Sequence, residues 1–151
     1  MSTALDEIRL LLATYNISGD RLQLDALADT FAEKGVLETP TALYQGKAAI
    51  WAGLAGGGGR RDRSRPHTFT RHHLTTSTVQ ITGPGQAEGR TYFQVYTNIG
   101  LDHLGYYDDR LGVEWGVWRF LHRRVRLDWI SDETLMPSLL AAHRARLERR
   151  A

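Results

Sequence analysis

The chain has no cysteine, which excludes disulfides, thiolate nucleophiles and cysteine-based metal sites. It also has no apolar run near the roughly 20 residues that a membrane-spanning helix needs. The opening Met1-Ser2-Thr3-Ala4-Leu5-Asp6-Glu7 lacks a basic segment leading into an apolar one, so no signal peptide is expected and the location expected is cytoplasmic. Gly56 to Gly59 is not followed by Lys-Ser/Thr, so it is no phosphate-binding loop. No metal-ligand spacing stands out, and neither a metal nor a cofactor is expected. Charge of one sign is lacking too. The net charge is +2, and the pI near 9.1 comes from arginines concentrated in Arg60 to Arg65 and Arg144 to Arg150. No aromatic-interleaved basic sheet or recognition motif accompanies them, which speaks against nucleic acid and for a solvated surface.

What is present is an ordinary soluble composition, 42% hydrophobic and 24% charged over 151 residues, enough for one domain with a real core. Leu5, Ile8, Leu11, Leu12 and Tyr15 fall at helical spacing and predict a first helix from Thr3 to about Tyr15. Asn16 to Asp20 reads as a turn. A second helix carries Leu22, Leu24, Leu27, Ala28 and Phe31 to near Gly35, with Asp20 at its start, where an aspartate ordinarily caps. Val36 to Pro40 reads as a short strand, and Lys47 to about Leu54 as a third helix. The Gly56–Arg65 segment reads as a loop, either an insertion or a lid. Four long strands are predicted over 68–82, 87–98, 101–111 and 116–129. Their short links make them antiparallel. A last helix starts at Asp132. Helices followed by a long curved antiparallel sheet predict an α+β cone with a pocket between sheet and helices.

Several segments in this order carry a resemblance. They are Ile8 through Tyr15 to Asp20, Leu24-Asp25-Ala26-Leu27, Gly46-Lys47-Ala48-Ala49-Ile50 and Arg71-His72-His73. Tyr106 to Leu111 and Gly116-Val117-Trp118-Arg119-Phe120 running into Arg123-Arg124-Val125 complete the set. Together they resemble the nuclear transport factor two-like superfamily, in its SnoaL-like branch, which includes scytalone dehydratase and hexachlorocyclohexane dehydrochlorinase. The resemblance implies a cystatin-like cone-shaped barrel over residues 1–151. It places an aspartate–histidine pair on Asp20 and His73, with His72 turned away from the pocket. A neutral imidazole oriented by a carboxylate can remove a proton and drive β-elimination or enolisation. The implied activity is that of a cofactor-independent lyase or isomerase.

The chain departs from each relative it resembles. Tyr15 stands where the dehydrochlorinase has a lysine, although Arg123 matches its pocket arginine. Gly19 replaces the dehydratase tyrosine, and Thr39 falls where ketosteroid isomerase has its base. Alternation puts His103, Gly105, Tyr107, Asp109 and Leu111 on one face. Tyr15, Trp51, Phe69, Tyr92, Tyr107, Arg123 and Trp129 are the candidate substrate-binding residues, suited to a small hydrophobic, cyclic or aromatic molecule. The alternative is a non-catalytic binding or assembly subunit, like the small subunit of a ring-hydroxylating dioxygenase. Val95, Leu127 and Trp129 are expected on an open sheet face, covered in a homodimer or homotrimer.

Overall fold

A computed structural model describes residues 3–56 and 61–150. Residues 57–60, part of the expected Gly56–Arg65 loop, lie outside the described residues. Helix α1 runs Ala4–Asp20 and begins with a capping box, in which Thr3 and Asp6 each satisfy a backbone N–H of the other. It ends five residues later than the sequence predicts. The polar stretch after Tyr15 stays helical because the buried Asn16 amide donates to the Leu12 carbonyl at 3.0 Å. Asp20 therefore ends α1 instead of capping α2, and the break falls at Leu22, whose φ is 56°.

Helix α2 is only Leu24–Ala28, and Phe31, expected on that helix, instead opens strand β1, Phe31–Glu38. Strand β2 (Leu43–Gln45) and helix α3 (Lys47–Ala55) follow. The long strands are β3 (Arg71–Gly83), β4 (Gln86–Thr97), β5 (Gly100–Glu114) and β6 (Val117–Ile130). They form the expected antiparallel meander. The β5–β6 link is a two-residue turn, Trp115–Gly116, with both φ angles positive (54° and 79°), the conformation that suits the right-handed twist of a hairpin. The full order is β2-β1-β6-β5-β4-β3, with β1 running parallel to β6. Helix α4 is Pro137–Glu148, starting later than expected.

The α1 stripe Ile8, Leu11 and Leu12 meets Phe31, Leu37, Leu111 and Phe120 in one core cluster. Each such side chain contributes roughly 1.5–3 kcal/mol by burial. A second cluster, Phe93, Val95, Tyr107, Leu127 and Ile130, is covered by Leu139 and Leu140 of α4. Val95 and Leu127 are thus interior residues, not the open-face residues the sequence suggests; Trp129 remains exposed. Gly105 lets β6 pass close by: a Cβ there would clash with the Arg126 carbonyl oxygen. Among the described residues no helix is long and apolar enough to cross a membrane.

Candidate active site

Asp20 is brought to the edge strand β3 by the length of α1. Its side chain is 8% exposed, and both oxygens are used by one residue. His72 donates Nδ1–H to Oδ1 at 2.6 Å and its backbone N–H to Oδ2 at 2.9 Å. The partner is His72, not His73. His73 is exposed, and its ring lies edge-on against Tyr96 at 5.2 Å. The reason is a register shift between Leu74 and Ser77, where β3 holds one residue more than β4. Counting back by twos from the inward Val79 reaches His73, but a one-residue bulge inverts that parity and turns His72 inward.

The clamp has a chemical consequence. A carboxylate only accepts, so His72 carries its neutral-state hydrogen on Nδ1, leaving the Nε2 lone pair free. Nε2 has no partner among the described residues and is not sealed from solvent. The bond also ties α1 to β3 by satisfying a backbone donor on a sheet edge, so it serves the fold as well.

A second oriented imidazole shares the same row. Pairing runs His72 to Val95 and Val95 to His103, and both histidine rings border Phe93, at 6.3 and 6.2 Å. His103 donates Nδ1–H to Asp102 at 2.8 Å. Neighbours on a regular strand point apart, but Asp102 is the extra residue of a β5 bulge, between His103 paired to Val95 and Leu101 paired to Tyr96. Asp102 is fully buried and also accepts from Thr97, Thr134 and the Leu135 backbone. Burial alone would raise its pKa, but these bonds outweigh burial and hold it at about 2. No partner for His103 is readable in the sequence, because the bulge that supplies one leaves no pattern.

Next to the dyad the interior is aromatic. Tyr107 stacks on Phe93 at 4.6 Å and donates to Asn16 Oδ1 at 2.9 Å; Asn16 lies one helical turn before Asp20. Burial pushes the Tyr107 phenol well above its ordinary pKa, so it remains a neutral donor. Arg123 is fully buried and makes a two-pronged bond to Asp109 at 2.8 and 2.7 Å. Its guanidinium lies 4.0 Å from the Tyr107 and Phe120 ring centres and 4.3 Å from that of Tyr15. Burial would lower its pKa, yet the Asp109 carboxylate raises it overall. One nitrogen, Nη1, is buried without a partner among the described residues.

The other sequence candidates sit apart from this cluster. Trp51 is 44% exposed and donates Nε1–H to Asp25 at 2.8 Å, holding α3 to α2. Phe69, Tyr92 and Trp129 are exposed. His67 and His122 also have partners, Thr70 and Arg61 for the first and Glu38 for the second. Two cavities, of about 710 and 360 Å³, lie on the polar sheet side around Arg90 and Asp108 and beside α4; neither is lined by Asp20 or His72. Among the described residues no cluster of three or more His, Asp or Glu could hold a metal.

Comparison with known proteins decides the family. The SnoaL-like domain model matches residues 1–124. This chain belongs to the SnoaL-like family. Its fold is shared with a protein of unknown function with a cystatin-like fold from Nostoc punctiforme (23% identity over 83% of this chain and 93% of that one, TM-score 0.72). It is also shared with a candidate scytalone dehydratase from Novosphingobium aromaticivorans (21% identity, 85% and 86%, TM-score 0.71). A third similar structure is a hexachlorocyclohexane dehydrochlorinase from Novosphingobium barchaimii (15% identity, 83% and 86%, TM-score 0.70). At these identities the likeness is one of fold. No curated protein matches the chain.

Proposed function

We propose that this SnoaL-like protein is a cofactor-independent lyase or isomerase in which His72, oriented by Asp20, moves a proton on a small cyclic or aromatic organic molecule. The two-point clamp of Asp20 on His72 carries the reading. In the proposed step Nε2 of His72 accepts a proton from a substrate carbon, and the electron pair left behind forms the new double bond. The Asp20 carboxylate stabilises the imidazolium as it forms. In an elimination the leaving oxygen departs with a proton, which the Nε2–H of His103, in the same cross-strand row, supplies when the ring enters the step as the imidazolium and leaves it neutral, with Nδ1–H still held by Asp102. In an isomerisation the proton returns to a different carbon. Phe93, Tyr107 and Tyr15 give the site its preference for flat apolar skeletons, and Tyr107 and Arg123 are its interior donors. A homodimer or homotrimer formed through the outer sheet face accompanies this reading, and a monomeric mass in light scattering would contradict it.

The test is deuterium uptake from D2O by a panel of cyclic ketones and phenolic ketones, followed by NMR. His72→Gln is expected to lower catalysed exchange by about 100-fold, and His73→Gln to leave it unchanged. The opposite outcome would overturn the dyad. A second reading, a non-catalytic binding or assembly module, is favoured by the burial of Phe93, Tyr107 and Arg123 against one another. It predicts no exchange above solvent with the folded wild type.

A further inference from the structure

Helix α4 turns one stripe toward the sheet, apolar in its first half and basic toward its end. Leu139 and Leu140 pack toward the Phe93–Tyr107 cluster. His143 and Arg146 continue the Leu139 stripe at four- and three-residue spacing, and Arg149 and Arg150 lie at and just past the helix end. With Glu38 and Arg126 from the sheet, they line the cavity of about 360 Å³. Four guanidiniums and one carboxylate thus line it, with the Asp128 carboxylate within electrostatic reach of His143.

The carboxylate lining the cavity is already saturated. Glu38 takes Arg126 on one oxygen at 2.6 Å, and Arg124 and His122 on the other at 2.9 and 3.2 Å. Arg146 gives a hydrogen bond to the Leu127 carbonyl, a neutral acceptor that leaves its charge uncompensated. The Arg149 and Arg150 guanidiniums have no acceptor among the described residues. Arg146 lies in the last turn of α4 and Arg149 at its C-cap, where the helix dipole favours a cation, but that attraction leaves the Arg149 and Arg150 donors without an acceptor. A second observation points the same way. His143 is 8% exposed, lines the cavity, and has an Nδ1 sealed from solvent with no partner among the described residues. Burial first, and Arg146 second, hold its pKa below the ordinary histidine value against the opposing Asp128 carboxylate, and Nε2 is the ring nitrogen that can reach a ligand.

We infer that the groove between α4 and the β1–β6 pair is a binding site for a small oxyanion of charge −2 or more, a phosphate ester or a di- or tricarboxylate, held by Arg146, Arg149, Arg150 and His143. The forked guanidinium donors match the paired oxygens of such groups. The cavity is of small-ligand size. It shares no residue with the Asp20–His72 pair, so it stands whether or not that pair is catalytic.

The experiment is calorimetric titration of the full chain with inorganic pyrophosphate and, separately, with citrate at low salt, with sodium chloride of matched ionic strength in the control. Saturable one-to-one binding of at least one anion is expected, and which of the two binds tighter distinguishes phosphate from carboxylate ligands. Arg149→Gln/Arg150→Gln is expected to weaken it by at least about tenfold. Arg9→Gln/Arg21→Gln, which removes two charges from α1 and its end, is expected to leave it within about twofold. His143→Gln is expected to weaken binding while the wild-type His143 ring signals shift on titration. Absence of saturation, equal weakening by the two double variants, or tighter binding of a short DNA duplex than of either anion would overturn the site.

Discussion

The two aspartate–histidine pairs use the same chemical groups in opposite ways. Asp20 gives both oxygens to one residue and joins a helix end to an edge strand. Asp102 divides its oxygens among four donors from β4, β5 and the segment leading into α4. The first carboxylate is dedicated to its histidine, whose far nitrogen stays open. The second is a structural hub that orients its histidine in passing. Both imidazoles keep an open Nε2; under the proposed function, the number of partners around each carboxylate is what sets His72 apart as the base.

The largest separation between the pairs should appear in stability. Asp102→Ala leaves buried hydroxyls and the Leu135 N–H unpaired and is expected to cost about 3–5 kcal/mol, against about 1–2 kcal/mol for Asp20→Ala, in urea unfolding. Equal losses would erase the distinction. Next in size is activity: the roughly 100-fold loss of proton exchange expected for His72→Gln should come without a stability change above about 1 kcal/mol. His103→Gln sharpens the comparison, because an elimination should suffer more than simple exchange.

Acid stability is the third effect. The folded-state pKa of Asp102, about 2, lies below its ordinary 3.8, so its contribution is fully present above about pH 4. It is lost as pH falls through about 2 and is worth on the order of 2 kcal/mol. Glu38, also held at about 2 because the bonds from Arg126 and Arg124 outweigh its burial, adds a loss of the same sign. Asp102→Asn should flatten the unfolding profile between about pH 4 and 2, leaving the shares of Glu38 and of Asp6 and Asp62, whose pKa values are also lowered by hydrogen bonds. Smallest is Trp51→Phe, which removes the exposed bond to Asp25 and should cost under about 1 kcal/mol by thermal unfolding while leaving exchange intact.

Much of the cone is legible in the residues. The α1 stripe of Ile8, Leu11 and Leu12 names an element and its inward face, and the alternation from Ala87 to Thr97 names a strand, although the sequence reading turns Tyr92 to the pocket and Val95 to the open face, the reverse of what is found. The parallel pairing of β1 with β6 is not legible, since Phe31 to Glu38 is short and joins a strand 86 residues on. Nor is the full length of α1, because Asn16 to Gly19 has turn composition, and its helical state depends on the Asn16 contacts with Leu12 and Tyr107. Asp20 is readable from the family resemblance, but its partner is displaced by one residue. Both Asp–His pairs depend on bulges, in β3 and in β5, and a bulge changes parity without changing composition.

The central claim is that Asp20 orients His72, and it can be tested without a substrate. In long-range 1H–15N NMR of the imidazoles, His72 should appear as the Nδ1–H tautomer with a strongly downfield Nδ1 proton. Asp20→Ala should abolish that signal and leave the resonances of His73 and His103 in place. A His72 found as the Nε2–H tautomer, or a loss that falls on His73 instead, would contradict the account.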